Sequence, residues 1–152
     1  MRRSEKEMTD FSDINAVIEK SRVCRLGMIS EGKPYIVPLC FGYRENTLYF
    51  HSAQKGRKID SLRENPDVCF EMDVAAEAVE SEEACGWSMK FQSVIGFGKA
   101  EFIESLEGKR KALDIIMAQY SDRNFQFPEN KVAVIAVIKV GIESITGKRS
   151  GF

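Results

Sequence analysis

A hydroxyl and two cations fall close together around Gly56, in the stretch F-H-S-A-Q-K-G-R-K that spans residues 50–58. The hydroxyl belongs to Ser52 at the end of a predicted strand, and the cations are Arg57 and Lys58 at the start of a predicted helix. A helix N-terminus presents free backbone N–H groups and a partial positive charge. Together these groups would bind a phosphate, and the glycine would let the backbone approach it closely. The residues alone leave open the alternative that Arg57 and Lys58 are only solvated surface cations.

The single histidine of the chain, His51, adjoins this cluster. An imidazole can donate a hydrogen bond or transfer protons near neutral pH. His51 is therefore the candidate catalytic residue, and the sequence offers no other evident general acid. The alternative is a surface residue that alternates with Phe50 and Ser52 along a strand.

Composition and cysteine usage limit the classes of function. The sequence fits one domain, 1–152, and its net charge of −1 disfavours nucleic acid or a membrane as a partner. The opening M-R-R is not followed by an apolar stretch of the kind that signal peptides and membrane spans need. Cys24, Cys40, Cys69 and Cys85 form no C-x-x-C pair and, with one histidine, predict no metal site. We interpret them as buried free thiols of a cytoplasmic protein.

Short strands separated by turns dominate the predicted elements. Connections this short force antiparallel neighbours, so the first three strands are expected to form a meander. Residues 74–87, which carry four glutamates, are expected to be a solvated loop. The predicted strands cover residues 22–30, 34–43, 47–53, 67–73, 91–103 and 132–140, the last continued to 146, and the predicted helices cover 13–20, 55–64 and 106–120.

Six strands of this kind suit a small antiparallel barrel. Residues 35–43 and 132–138 are apolar on both strand faces, and a barrel removes exposed sheet edges. An open sheet with helices on one face is the alternative. Pro38 predicts an edge, a bulge or a barrel seam, while Gly96 and Gly98 predict a bulge or a close backbone approach.

The order of the motifs resembles the FMN-binding split β-barrel family related to pyridoxamine 5′-phosphate oxidase. Within that family it is most similar to the 5-nitroimidazole-resistance (Nim-like) branch. The similar segments are Y-I-V-P-L-C-F-G-Y, L-Y-F-H-S-A-x-x-G-R-K, L-R-E-N-P-x-V-C-F and S-V-I-G-F-G-K-A-E, with M-R-R at the start and I-T-G-K-R-S-G-F at the end. They occur in the family's order over nearly the whole chain.

The resemblance implies a mainly β, six-stranded antiparallel split barrel that forms a homodimer with FMN at the interface. Its phosphate contacts would fall on Ser52, Arg57 and Lys58, and His51 would lie beside the flavin. Val37, Pro38 and Leu39 would lie in the strand beside the isoalloxazine ring. Gln92 and Ser93 would lie in the strand that reaches the ring edge or ribityl chain.

Contacts across the dimer interface are implied at two further places. One is Trp87, and the other is the C-terminal segment Thr146-Gly147-Lys148. A packed indole is the alternative interpretation of Trp87, because large aromatics also serve ordinary packing.

The implied activity is an FMN-dependent oxidoreductase that passes electrons from NAD(P)H to a small acceptor such as a nitroaromatic compound. A non-catalytic flavin-binding or redox-sensing module is an alternative, as is a split barrel that binds haem or a deazaflavin. The arginine and tryptophan motifs that bind pyridoxal in true pyridoxamine phosphate oxidases are not found at the C-terminus, which argues against vitamin B6 synthesis. No G-x-G-x-x-G follows a strand, so a nicotinamide would bind transiently over the flavin.

Overall fold

Antiparallel strands form a single sheet in the computed structural model, which describes residues 4–152 apart from the side chain of Ser4. The M-R-R opening lies outside this range. Within it, the strands are β1 (Glu7–Met8), β2 (Cys24–Ser30), β3 (Lys33–Leu39), β4 (Gly42–Arg44), β5 (Thr47–Ala53), β6 (Asp67–Val79), β7 (Ser88–Phe102) and β8 (Ile135–Ser150). The helices are α1 (Phe11–Lys20), α2 (Arg57–Glu64), α3 (Leu106–Ala118) and α4 (Glu129–Val132), with 3-10 turns at Ser4–Lys6 and Ala84–Gly86.

The strand order shows that the sheet curls into a barrel. The order is β3-β2-β6-β7-β8-β5-β4, with β1 added beside β8. In a flat sheet β3 and β4 would lie six strand spacings apart, about 29 Å. They are consecutive in the chain, and the three residues from Leu39 to Gly42 span at most about 11 Å. The two edges must therefore meet, and the barrel has a seam where the chain leaves β3 for β4.

The predicted antiparallel, mainly β fold is confirmed, although six strands were too few. Residues 34–43 form two strands, because the chain turns away from β2 at Cys40 and Phe41 to pair with β5. The buried Phe41 donates its backbone N–H to Tyr120 Oη at 2.9 Å, outside any strand ladder. The predicted meander is confirmed only in part, since β5 pairs with the end of the predicted second strand at Gly42 and Tyr43 but along its whole length with β8. Cys40 at this break and Cys85 are exposed, contrary to the predicted burial of the thiols, whereas Cys24 is buried and Cys69 half-buried.

The barrel interior is filled by apolar residues that recur at every second strand position. In β2 buried residues alternate with exposed or half-buried ones from Cys24 to Ser30. Helices α1 and α2 add their own apolar faces to the same core. The largest fully buried side chains are Phe41, Phe50, Phe70, Ile18, Leu26, Leu48, Leu62 and Met72. Each such side chain contributes about 2–3 kcal/mol of hydrophobic stabilisation.

Strands β6 and β7 extend beyond the barrel as a two-stranded arm, which corrects the predicted loop at 74–79, whereas residues 80–87 form an exposed connection as predicted. The ladder shifts register between Val74 and Glu77, where Ala75 has a φ of 55°. It then resumes with Glu77 opposite Lys90, an opposite-charge cross-strand pair. Trp87 lies at the end of the arm and is 53% exposed.

The glycines of β7 behave as predicted. The register of β7 against β8 shifts between Phe97 and Gly98, and the ring of Phe70 occupies the space that a Cβ at Gly96 would need.

None of the helices within residues 4–152 has the length and apolarity that a bilayer crossing requires.

Candidate functional site

The start of α2 is open on the side where a ligand would meet its backbone. Gly56 precedes the helix with a φ of 126°, a conformation that favours glycine, and no side chain among residues 4–152 caps the helix. A Cβ at Gly56 would have no neighbouring atom within 4 Å in the part of the chain that the structure describes. The first N–H groups of α2 are therefore available to an anion.

Arg57 is held by two residues of the neighbouring strands. Its Nε donates to Ser30 Oγ at 2.8 Å, and its Cζ lies 4.4 Å from the centre of the Tyr35 ring. Ser30 closes β2 and is only 2% exposed, while Tyr35 belongs to β3. The two terminal guanidinium nitrogens donate to no protein group within residues 4–152. These contacts attach the start of α2 to the strands beside the seam.

Lys58 follows on the same helix turn and is half-buried. Burial lowers the pKa of its ammonium group from the ordinary lysine value. An anion beside this ammonium would offset the cost of removing it from water.

A groove of about 460 Å³ separates α2 from the turn between β2 and β3. The carboxylates of Glu31, Asp60 and Glu64 line it together with Arg57, yet none of the three forms an ion pair with Arg57 in the described part of the chain. Arg57 thus keeps its orientation through Ser30 and Tyr35 although acidic partners lie nearby.

Strand β3 is an edge strand, and Val37, Pro38 and Leu39 lie in its second half. They pair only with β2, so the opposite side of the β3 backbone faces the seam. Val37 and Leu39 pack against the core, whereas Pro38 is exposed. The position of Pro38 confirms the predicted edge or seam.

His51 and Ser52 lie across the seam from this edge. Strand β5 pairs with β4 only as far as Tyr49, opposite Gly42, so residues 50–53 extend beyond β4. Continuing that register sets Ser52 level with Leu39. Ser52 is half-buried, while His51 is exposed on the opposite strand face. The structure thus brings the β3 edge and the predicted phosphate residues to one seam.

Gln92 and Ser93 do not join this group within one chain. They lie in β7, three strands from β3 in the sheet order. Three strand spacings amount to roughly 14 Å. Ser93 lines a separate pocket of about 350 Å³ with Ile95, Thr146 and Lys148.

The outer face of β3, β2, β6 and β7 carries an apolar groove of about 560 Å³. Large apolar side chains on this face are well exposed: Ile36 by 64%, Phe97 by 54%, Ile95 by 45% and Ile29 by 40%. Contiguous apolar surface of this kind marks an interaction site more often than a solvated face.

Within residues 4–152 no cluster of three or more His, Cys, Asp or Glu side chains is arranged to hold a metal ion.

Comparison with known proteins identifies the family. A family model described as pyridoxamine 5′-phosphate oxidase matches residues 10–149. The chain belongs to this family. A search of curated proteins gives no match.

Solved structures agree with the pyridoxamine 5′-phosphate oxidase family. A candidate 5-nitroimidazole antibiotic resistance protein from Bacteroides thetaiotaomicron VPI-5482 is 38% identical, with a TM-score of 0.86 over 93% of this chain and 85% of that one. The flavocytochrome Anf3 from Azotobacter vinelandii, at 20% identity, has a TM-score of 0.87 over 100% and 72% of the two chains. The FAD and heme binding protein from Mycobacterium smegmatis, at 17% identity, has a TM-score of 0.88 over 97% and 74%. The two distant proteins share the fold, and the predicted split-barrel class is confirmed.

Sequence reasoning missed two residues that matter to the geometry of this family member, Ser30 and Tyr35. Tyr35 opens the segment Y-I-V-P-L-C-F-G-Y, and Ser30 directly precedes the E-G-K turn. Nothing in their spacing indicates that both contact Arg57, because that contact depends on how α2 packs over the hairpin of β2 and β3.

Proposed function

We propose that this protein binds FMN at its seam and passes electrons from NAD(P)H to a small acceptor such as a nitroaromatic compound. Family membership and the 38% identity to a candidate 5-nitroimidazole resistance protein support this assignment. Flavin-binding proteins occur among the structures that share the fold, for example a FAD-binding protein from Mesorhizobium loti at 24% identity. Electron transfer through the flavin is the chemistry that a bound FMN would supply.

The observation that carries the proposal is the start of α2. It combines open backbone N–H groups at Gly56 with the terminal nitrogens of Arg57, which have no partner among residues 4–152, and the half-buried ammonium of Lys58. This donor set suits a phosphate dianion, because charge-assisted hydrogen bonds at a helix N-terminus favour that charge. Ser52 adds a hydroxyl from the end of β5.

The rest of the flavin would extend along the β3 edge. From Tyr35, beneath Arg57, to Pro38 is three residues, or about 10 Å of strand. This edge offers apolar side chains together with backbone groups that β2 does not use, which suits a ring system with an apolar face and a polar rim. Val37, Pro38 and Leu39 would orient the ring there.

We also propose a homodimer, which the separation of β3 and β7 within one chain supports. In this proposal Gln92 and Ser93, three strands away from β3 in the sheet, would approach the flavin from a second copy of the chain. The exposed apolar side chains of the outer face, such as Ile36 and Phe97, would be covered in that dimer. Trp87 at the arm and Thr146-Gly147-Lys148 on β8 would contact the second copy.

His51 would be the proton donor to flavin or substrate. It is exposed beside the seam, so an acceptor could reach its imidazole from solvent. The cytoplasm suits this function, because reduced nicotinamides are present there and the four cysteines are free thiols.

Oxidation of NADH and NADPH with and without a nitroaromatic compound tests the proposed activity. We expect oxidation that requires both FMN and the acceptor, and a slower rate in His51→Ala. Flavin binding without acceptor-dependent oxidation would instead support a redox-sensing or storage module. A haem absorption band from the purified protein would contradict the FMN assignment.

A further inference from the structure

We infer that Ser30 and Tyr35 are positioning residues that hold Arg57 in the orientation needed to bind the flavin phosphate. This inference rests on the proposed function and adds two residues to it. Both contact the guanidinium of Arg57, and we assign their effect on the phosphate to that contact.

The two contacts together define the guanidinium orientation. Ser30 Oγ accepts from Nε at 2.8 Å, which fixes the direction of the guanidinium in its own plane. The Tyr35 ring, 4.4 Å from Cζ, fixes the plane itself through a cation–π contact. What remains is the pair of terminal nitrogens, the pair that binds two phosphate oxygens in bidentate contacts.

The acidic lining of the groove explains why Arg57 needs this restraint. Asp60 lies three residues after Arg57 on α2, a spacing at which opposite charges on a helix attract. Glu31 and Glu64 line the same groove. An arginine released from Ser30 would turn towards these carboxylates, which would then compete with the phosphate for the guanidinium. Ser30 and Tyr35 therefore keep the cation available to the ligand.

Comparison of FMN with riboflavin separates this role from a general structural one. Riboflavin carries the same ring and ribityl chain without the phosphate. We expect Ser30→Ala to weaken FMN binding about five- to tenfold, in line with a charge-assisted bond that is misaligned but not lost. Riboflavin binding should stay unchanged. Tyr35→Leu should weaken FMN binding in the same way. Tyr35→Phe, which keeps the ring, should retain the FMN affinity of the wild type.

A second substitution tests the competition directly. If the released arginine pairs with Asp60, the double variant Ser30→Ala/Asp60→Asn should regain most of the FMN affinity that Ser30→Ala loses. Loss of a merely structural hydroxyl would not be repaired in this way. Ser21→Ala is the matched control, because Ser21 is also buried and donates its hydroxyl to Val17 O at 2.7 Å, on α1. Its ratio of FMN to riboflavin affinity should equal that of the wild type.

The outcomes distinguish failure of this inference from failure of the proposed function. Wild-type protein that binds neither ligand overturns both. Wild-type protein that prefers FMN, with Ser30→Ala either unchanged or losing FMN and riboflavin equally, overturns only the positioning role. Failure of Asp60→Asn to restore affinity overturns the competition with the acidic groove.

Discussion

Replacement of both cations at the start of α2 is the most informative perturbation of the proposed site. In Arg57→Ala/Lys58→Ala the barrel should stay folded. Arg57 is exposed, and burial lowers the pKa of Lys58, so its charged form is less favoured in the folded protein than in water. The core contacts of α2 come from Ile59 and Leu62, which the variant keeps.

The magnitude follows from the number of donors removed. One charge-assisted hydrogen bond from each residue, at about 1.5–3 kcal/mol, gives roughly 3–6 kcal/mol. That corresponds to an FMN affinity lower by about two to four orders of magnitude. Riboflavin affinity should change little, because neither cation is placed against the ring.

Quenching of flavin fluorescence, titrated with FMN and with riboflavin, measures both effects. The control is Lys20→Ala/Lys111→Ala, which removes two exposed lysines from α1 and α3. An FMN affinity equal to that of the control variant would refute the phosphate assignment. Equal losses for FMN and riboflavin would show that the two residues support the fold instead.

Three further predictions follow from the packing and the charges. Gly96→Val should lower the free energy of unfolding, measured by urea denaturation, by about 1–3 kcal/mol, because the Phe70 ring fills the space that the side chain needs. Phe97→Asp should yield monomers in sedimentation and weaken FMN binding, whereas Phe11→Asp, at an equally exposed phenylalanine on α1, should do neither; dimers of Phe97→Asp would contradict the proposed interface. FMN affinity should fall as pH rises through the lowered pKa of Lys58, since the neutral amine cannot pair with phosphate, and Lys58→Arg should remove that fall.

Local pattern was enough for the elements whose partners lie nearby in sequence. The β2–β3 hairpin follows from its turn at Glu31-Gly32, and β5 begins and ends as predicted. Ile14, Val17 and Ile18 of α1 are buried as their i, i+3, i+4 spacing indicates, and Asp10 caps the helix by accepting a hydrogen bond from the Ser12 N–H. In these cases periodicity and capping chemistry act within a few residues.

Features that depend on contacts between distant parts of the chain could not be predicted from the sequence. The break at Cys40 and Phe41 depends on Tyr120, 79 positions away from Phe41, which supplies the hydrogen-bond partner. Continuation of β6 to Val79 depends on its pairing with β7, which propensity in an alanine- and glutamate-rich segment does not reveal. The separation of Ser93 from the β3 edge is a property of strand order, so it appeared only in three dimensions.

Binding of FMN to a dimer is tested most directly by the visible absorption spectrum of the wild-type protein after incubation with FMN and gel filtration. We predict oxidised-flavin bands that elute with the protein at the volume of a dimer. Colourless protein with all flavin in the small-molecule fractions would contradict the proposed cofactor, and flavin that elutes with a monomer would contradict its place between two copies.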